Sequence, residues 1–175
     1  MYLMTASLLN SWKNLLDNEF SEMEDFLKVL HRKPIEKTEP MMKGDIFEQW
    51  AANNIPELQG AVRQAALYGE CGDYLLYGKL DFLKAGIIYD AKYTGRYEVG
   101  KFFGSPQTSM YFTLVPEAFK FVYIISNSED GKNLWREEYL RDEVVPISVH
   151  IGQFESWLQE VGLFGIYREV WATKR

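Results

Sequence analysis

The chain has one cysteine, two histidines and no apolar run long enough to cross a bilayer. Cys71 alone cannot form an internal disulfide, nor can one thiol hold an iron–sulfur cluster, which takes four. His31 and His150 stand in separate segments without partner spacing and read as surface or capping residues, so no zinc site is expected. A membrane helix needs about 20 apolar residues, and the N-terminus lacks a basic-then-apolar leader, so the expectation is a cytoplasmic protein. No glycine loop has the spacing that cradles nucleotide phosphates, which argues against a motor or helicase. Positive charge is also short: the net charge of −6 disfavours broad, unspecific nucleic-acid binding. Its distribution softens this. Acid concentrates in Asp17–Asp25 and Glu129–Glu143, while Lys79, Lys84, Lys92, Arg96 and Lys101 cluster with only Asp81, Asp90 and Glu98 among them. A local positive groove on an acidic body is the expectation.

At 175 residues the chain fits one domain with a substantial core. Its most informative stretch runs from Gly78 to Lys92. Leu76–Leu83 and Ile87–Thr94 are rich in aromatic and β-branched residues and predict two strands, with Ala85-Gly86 as a two-residue hairpin loop. Pairing Lys84 with Ile87 sets Asp81 opposite Asp90, with Lys92 on the same face. The same register sets Lys79 opposite Lys92, a strain that a bulge or a one-residue slip would relieve. Opposed carboxylates would have Cβ atoms about 4.5–5.5 Å apart and repel. A divalent cation offsets that repulsion, and Mg²⁺ commonly takes one or two carboxylates. The competing reading is two solvated strand positions neutralised by Lys92, and the hairpin alone does not choose between them.

The elements around it follow from local signals. Thr5-Ala6-Ser7 offers an N-cap for a helix to about Leu16, and Ser21-Glu22-Met23-Glu24 has the spacing of a capping box opening a second. Pro34–Pro40 predicts a loop. A helix is expected over Asp45–Asn54, with Ile46, Phe47, Trp50 and Ala51 inward. Asp45-x-x-Glu48 is itself a capping-box spacing, so Glu48 either satisfies a helix terminus or points at a nearby metal. Ala61–Tyr68 predicts a strand leading into a turn at Gly69–Gly72. Ser105-Pro106 starts a helix that puts Gln107 and Tyr111 on one face. Phe119–Ile125 predicts a central strand and Leu134–Arg141 an exposed edge strand. A last helix follows Pro146 and ends by Gly162, while Ile166–Trp171 fits either a strand or a helical turn.

Four short motifs occur in one order: Gly44-x-x-x-Glu48, Gly78-x-x-Asp81, Asp90-Ala91-Lys92 and Gln107-x-x-x-Tyr111. Together they resemble the PD-(D/E)xK nuclease superfamily, in its branch of RecB-type and phage exonucleases, over about residues 5–126. Some members of that branch carry an iron–sulfur cluster, which this chain lacks the cysteines to hold. The resemblance implies an α/β fold, a restriction-endonuclease-like sandwich with a mixed central sheet of four to five strands flanked by helices. It divides one nuclease domain into a helical N-terminal cover (1–43), a catalytic core (44–126) and a C-terminal strand-and-helix extension (127–175). It implies one or two Mg²⁺ or Mn²⁺ ions on Asp81 and Asp90, helped by Glu48 and the Ala91 carbonyl, with Lys92, Gln107 and Tyr111 completing the catalytic set. Arg96, Lys101 and Lys79 would contact DNA phosphates. The implied activity is an exonuclease on DNA in phage or prophage recombination, replication or repair, with phage replication or recombination proteins as partners. Two alternatives stay open: a non-catalytic DNA-binding or structural subunit, and a structure-specific endonuclease using the same site.

Overall fold

The computed structural model describes residues 1–174. The chain opens with strand β1 (Tyr2–Thr5), then helices α1 (Ala6–Asp17), α2 (Met23–Leu30) and α3 (Glu39–Asn54). A short 3₁₀ turn precedes strands β2 (Val62–Cys71), β3 (Tyr74–Lys84) and β4 (Ile87–Tyr93). Helix α4 (Pro106–Leu114), strands β5 (Lys120–Ser126) and β6 (Leu134–Leu140), and helices α5 (Ile147–Glu160) and α6 (Phe164–Val170) complete it. The fold is an α/β sandwich with a mixed sheet of six strands, one or two more than expected. No helix among the described residues is long and apolar enough to cross a membrane.

Hydrophobic pattern explains the layers. β5 is buried along nearly its whole length, and its alternation divides the molecule. Phe121, Tyr123 and Ile125 enter the larger core, shared with α1, α2, α4, α5 and α6. Val122 and Ile124 enter a smaller one, where Phe47 and Ala51 of α3 meet Phe82 and Tyr89. The larger core draws on N-terminal, central and C-terminal stretches alike.

One edge of β3 carries the feature that positions everything else. β2 runs antiparallel along one side, from Cys71↔Tyr74 to Val62↔Leu83. The other side is shared. β1 pairs in parallel with Tyr74–Tyr77, and β4 pairs antiparallel with Phe82–Lys84. Between these partners Gly78–Asp81 has no ladder on that edge. The sheet forks there.

Several local expectations are corrected. α3 starts at Glu39, capped by Thr38, whose hydroxyl accepts from Met41 N. Pro40 therefore lies inside the first turn, where its missing N–H costs nothing. Glu48 is then mid-helix, so it caps nothing, and Ile46 is exposed rather than inward. α2 is preceded by Glu22 with no side-chain cap, so the Ser21 capping box is not formed. β2 continues through Gly69–Cys71, and the turn falls at Gly72-Asp73. Ile166–Trp171 is helical over most of its length, as part of α6. His150 is buried in α5, not superficial; burial holds its imidazole below the usual value and Nε2 has no partner. The Thr5 and Ser105 caps form as expected.

Arg141, just past β6, holds the end of α4 in place. Its guanidinium donates to the carbonyls of Phe112, Val115, Pro116 and Ala118 and lies 4.8 Å from the Phe112 ring centroid. Carbonyls at a helix C-terminus lack intrahelical donors, and a cation there also meets the negative end of the dipole. Arg141→Ala is expected to lower stability by about 2 kcal/mol, read as a reduced urea midpoint with an unchanged slope.

Candidate active site

The fork in the sheet gathers the motif residues. The hairpin has the expected register, with Lys84 opposite Ile87, but the β3–β4 ladder ends at Phe82↔Tyr89, one step short of Asp81 and Asp90. The two strands part at the carboxylates, so Asp81 and Asp90 are not a ladder pair. Asp81 Oδ2 accepts the Ala91 N–H at 3.1 Å in place of a backbone partner. The same step is missing on the β2 side, where Gln64 would face Asp81 and instead has φ of 52°. Asp81 is thus free of ladder pairing on both edges. The parting also removes the Lys79–Lys92 clash: Lys79 pairs with Ala66 of β2.

Asp90 is 2 % exposed. Gln107 Nε2 donates to its Oδ1 at 2.7 Å, and Asn10 Nδ2 of α1 donates to Gln107 Oε1 at 3.4 Å. Its Oδ2 lies 2.9 Å from Lys92 Nζ and forms an ion pair with it. Tyr111, one turn after Gln107, donates to the Lys79 carbonyl at 2.7 Å across the unpaired edge. Gln107 and Tyr111 therefore share the face of α4 that covers the fork.

Gly78 has a steric reason to be glycine. A Cβ there would fall 2.4 Å from Cε1 of Tyr111, whose ring is stacked on Phe121 and cannot retreat freely. Gly78→Ala is expected to cost about 1–3 kcal/mol and to loosen the Tyr111–Lys79 bond, checked by urea denaturation. By contrast, a Cβ on Gly44 would meet only the Tyr93 Cβ, at an ordinary 3.9 Å.

Charge is poorly compensated here. Burial first, then repulsion from Asp90 and Glu48, pushes the Asp81 carboxyl well above the usual carboxylate range. Glu48 is raised too, by burial first and by Asp90 and Asp45, against the hydrogen bond from Gln64. Burial pulls the Lys92 ammonium down, but Asp90 and Asp81 outweigh it and hold it above its ordinary value. The two acids thus favour the ammonium form of Lys92, a balance the sequence left undecided. Burial and the Asp90 charge push the Tyr111 phenol up, so it remains a hydrogen-bond donor.

Glu48 approaches from the opposite layer. Gln64 Nε2 donates to Glu48 Oε1 at 2.6 Å and reaches Asp81 Oδ1 at 3.5 Å, so one amide joins the two acids. Among the described residues no three His, Cys, Asp or Glu side chains gather closely enough to hold an ion by themselves. The donor set is the Asp81–Asp90 pair, with Glu48 at one remove. The buried Oδ2 of Asp90, which meets only the Lys92 ammonium, fits a hard cation, as does the Ala91 carbonyl. Within a strand the N–H and C=O of one residue face the same side, so that carbonyl faces the open edge where the Ala91 N–H meets Asp81.

Sequence reasoning missed Gln64 and Asn10. Nothing local marks either one: Gln64 is a polar residue in an alternating strand, and Asn10 a polar position on an amphipathic helix.

The residues expected to contact DNA separate. Arg96 and Lys101 line a cleft of about 850 Å³ with Lys92 and Gln107, between α1 and the loop before α4. Arg96 pairs with Glu98, and Lys101 donates to the Arg96 carbonyl at 2.8 Å. Lys79 is exposed on β3 and does not line this cleft. Asp17 and Glu19 do, so the groove is mixed in charge rather than distinctly positive.

No protein-family model matches the sequence, and a search of curated proteins gave no significant match. Solved structures do match the fold. LHK-Exo in complex with dAMP aligns over 95 % of this chain and 87 % of its own, with TM-score 0.54 and 12 % identity; LHK-Exo is an alkaline exonuclease from Laribacter hongkongensis. A phage-related exonuclease from Haemophilus somnus aligns over 93 % of both chains, with TM-score 0.51 and 12 % identity. The protein SSO0001 aligns over 91 % of this chain and 76 % of its own, with TM-score 0.62 and 12 % identity. At such identities the likeness is one of fold.

Proposed function

We propose that this chain is a metal-dependent deoxyribonuclease that hydrolyses phosphodiester bonds from a DNA end, in recombination, replication or repair of the phage type. The observation that carries the reading is the buried Asp90 carboxylate. Gln107 orients it through one oxygen, the other oxygen lies 2.9 Å from the Lys92 ammonium, and the Asp81 carboxyl alongside repels it. The fold shared with exonucleases supports it. Asp81 and Asp90, with the Ala91 carbonyl, would hold Mg²⁺ or Mn²⁺, and Glu48 would reach the ion's surroundings under the control of Gln64. A cation there supplies Lewis acidity, which acidifies water and offsets charge growing on the phosphate.

The protein's own groups do the rest. Lys92 offers a fixed positive charge to the phosphate oxygens, and preorganised charge of this kind is worth most where water is scarce. Gln107 fixes the direction of Asp90, the Ala91 N–H holds Asp81, and Tyr111 ties α4 to the unpaired edge of β3 two residues from Asp81. A non-catalytic binding subunit would have no use for a pair of repelling acids held under such tension.

The test is linear end-labelled DNA incubated with Mg²⁺, Mn²⁺ or EDTA. Stepwise shortening is expected with either metal and none with chelator; binding without any metal-dependent cleavage would overturn the assignment. Closed circular DNA should resist, and its cleavage would replace exonuclease with endonuclease.

A further inference from the structure

Two exposed phenylalanines flank the cleft that leads to Lys92. Phe20 is 85 % exposed and Phe103 69 %, and both line it. Phe is among the residues most often buried, so two open rings on one cleft call for an occupant. The backbone beside Phe103 is anchored. Phe102, next to Phe103, stacks on the buried Tyr123 at 4.8 Å, and its N–H donates to the buried Glu137 at 3.1 Å. Phe103 follows this fixed neighbour, with its ring tilted against Tyr139 at 6.0 Å and most of its surface left open. Phe20 stands in the turn after α1, where its N–H donates to Asn18 Oδ1 at 3.0 Å and so shapes the turn locally. Between the rings α1 contributes Asn10, Lys13, Asn14 and Asp17, spaced to share one helix face.

We infer that this cleft binds an unpaired DNA strand by stacking its bases on Phe20 and Phe103, with the backbone leading to Asp81, Asp90 and Lys92. This rests on the nuclease reading above. The charge balance favours a single strand over a duplex. Lys13, Lys92, Arg96 and Lys101 stand against Asp17 and Glu19, Arg96 is engaged with Glu98, and the protein carries −6 overall. A duplex clamp needs a broad cationic surface, because its affinity comes chiefly from phosphate neutralisation. Aromatic platforms in a modestly basic groove suit unpaired bases, whose π-faces stack whatever the sequence. Asn10, in the cleft lining, reaches Gln107 beside the carboxylates, so cleft and site are continuous.

The test compares three fluorescent probes of equal length in Ca²⁺ buffer: a mixed-sequence single strand, an abasic single strand and a blunt duplex. Wild type should bind the normal strand more tightly than the abasic one, which carries the same phosphates without bases. Phe20→Ala and Phe103→Ala should each weaken the normal strand roughly 5- to 100-fold and leave the abasic strand nearly unmoved, while Phe103→Trp should retain affinity. Both rings are exposed, so melting temperatures should stay near wild type and report any folding defect. Equal binding of normal and abasic strands, or a loss in the alanine variants confined to the duplex, overturns the stacking site. So does self-association in sedimentation that disappears in the variants while strand affinity stays. If wild type shortens linear DNA with Mn²⁺ but the rings do not matter, the nuclease reading survives and this one fails; no cleavage of any DNA sinks both.

Discussion

Cleavage by Lys92→Ala is expected to fall at least about 10²- to 10³-fold, and the metal-free variant is expected to melt well below wild type. Both effects come from one contact. Lys92 Nζ lies 2.9 Å from Asp90 Oδ2, and the carboxylate has almost no exposure to solvent. Removing the amine leaves a buried charge without its counter-ion, a loss of about 3–5 kcal/mol. Mn²⁺ should restore much of that stability, because it brings positive charge to the same carboxylate, but not the activity, because a cation on Asp90 cannot also serve as the fixed ammonium facing the phosphate. Melting in EDTA and in Mn²⁺, alongside single-turnover cleavage, separates the two effects. An unchanged cleavage rate would remove Lys92 from the mechanism even if the metal still bound.

The hairpin that carries these groups was legible because its chemistry is local. Ala85-Gly86 selects the loop, the loop sets Lys84 against Ile87, and alternation then puts Asp90 and Lys92 on one face. The helix after Ser105-Pro106 was legible for the same reason, and with it the shared face of Gln107 and Tyr111. The fork was not. It exists because a four-residue strand at the N-terminus pairs with β3 some 70 positions away, and so short a strand has no periodicity to read. Without β1 nothing says that Gly78–Asp81 lacks a partner, or that the expected Asp81–Asp90 pair is pulled open. Glu48 illustrates a local signal misleading: Asp45-x-x-Glu48 has cap spacing, but Thr38-Glu39-Pro40 starts the helix two turns earlier. Gln64 depends on a backbone twist at one residue, which alternation in β2 conceals. Mixed charge in the cleft was missed because linear clustering of Lys and Arg ignores the acids that α1 brings across the fold.

Asp81→Asn should move the metal-free protein in the opposite direction from Lys92→Ala, while costing cleavage roughly 10³-fold or more, as expected when a group supplying several kcal/mol of charge stabilisation is lost. Asp81 is held in the fold by burial and against two other acids, which disfavour its charged form. An asparagine carbonyl can still accept the Ala91 N–H, so the substitution keeps the bond that replaces the missing ladder step; it discards the acid's unfavourable burial and repulsion and, with them, only the long 3.5 Å contact from Gln64. In EDTA the variant should therefore melt at or above wild type, with about 2–4 °C gained for each kcal/mol relieved in a chain of this size. Its stabilisation by Mn²⁺ should shrink sharply, since a neutral amide is a poor ligand for a hard divalent ion. The paired signs matter more than either magnitude. If Asp81 and Asp90 served only the architecture, removing either Asp81 or the lysine would weaken the fold. A site kept under tension for an ion predicts that losing an acid relaxes the apo-protein and losing the amine strains it. Asp81→Asn melting lower than wild type in EDTA, with its response to Mn²⁺ intact, would show that the acids are structural.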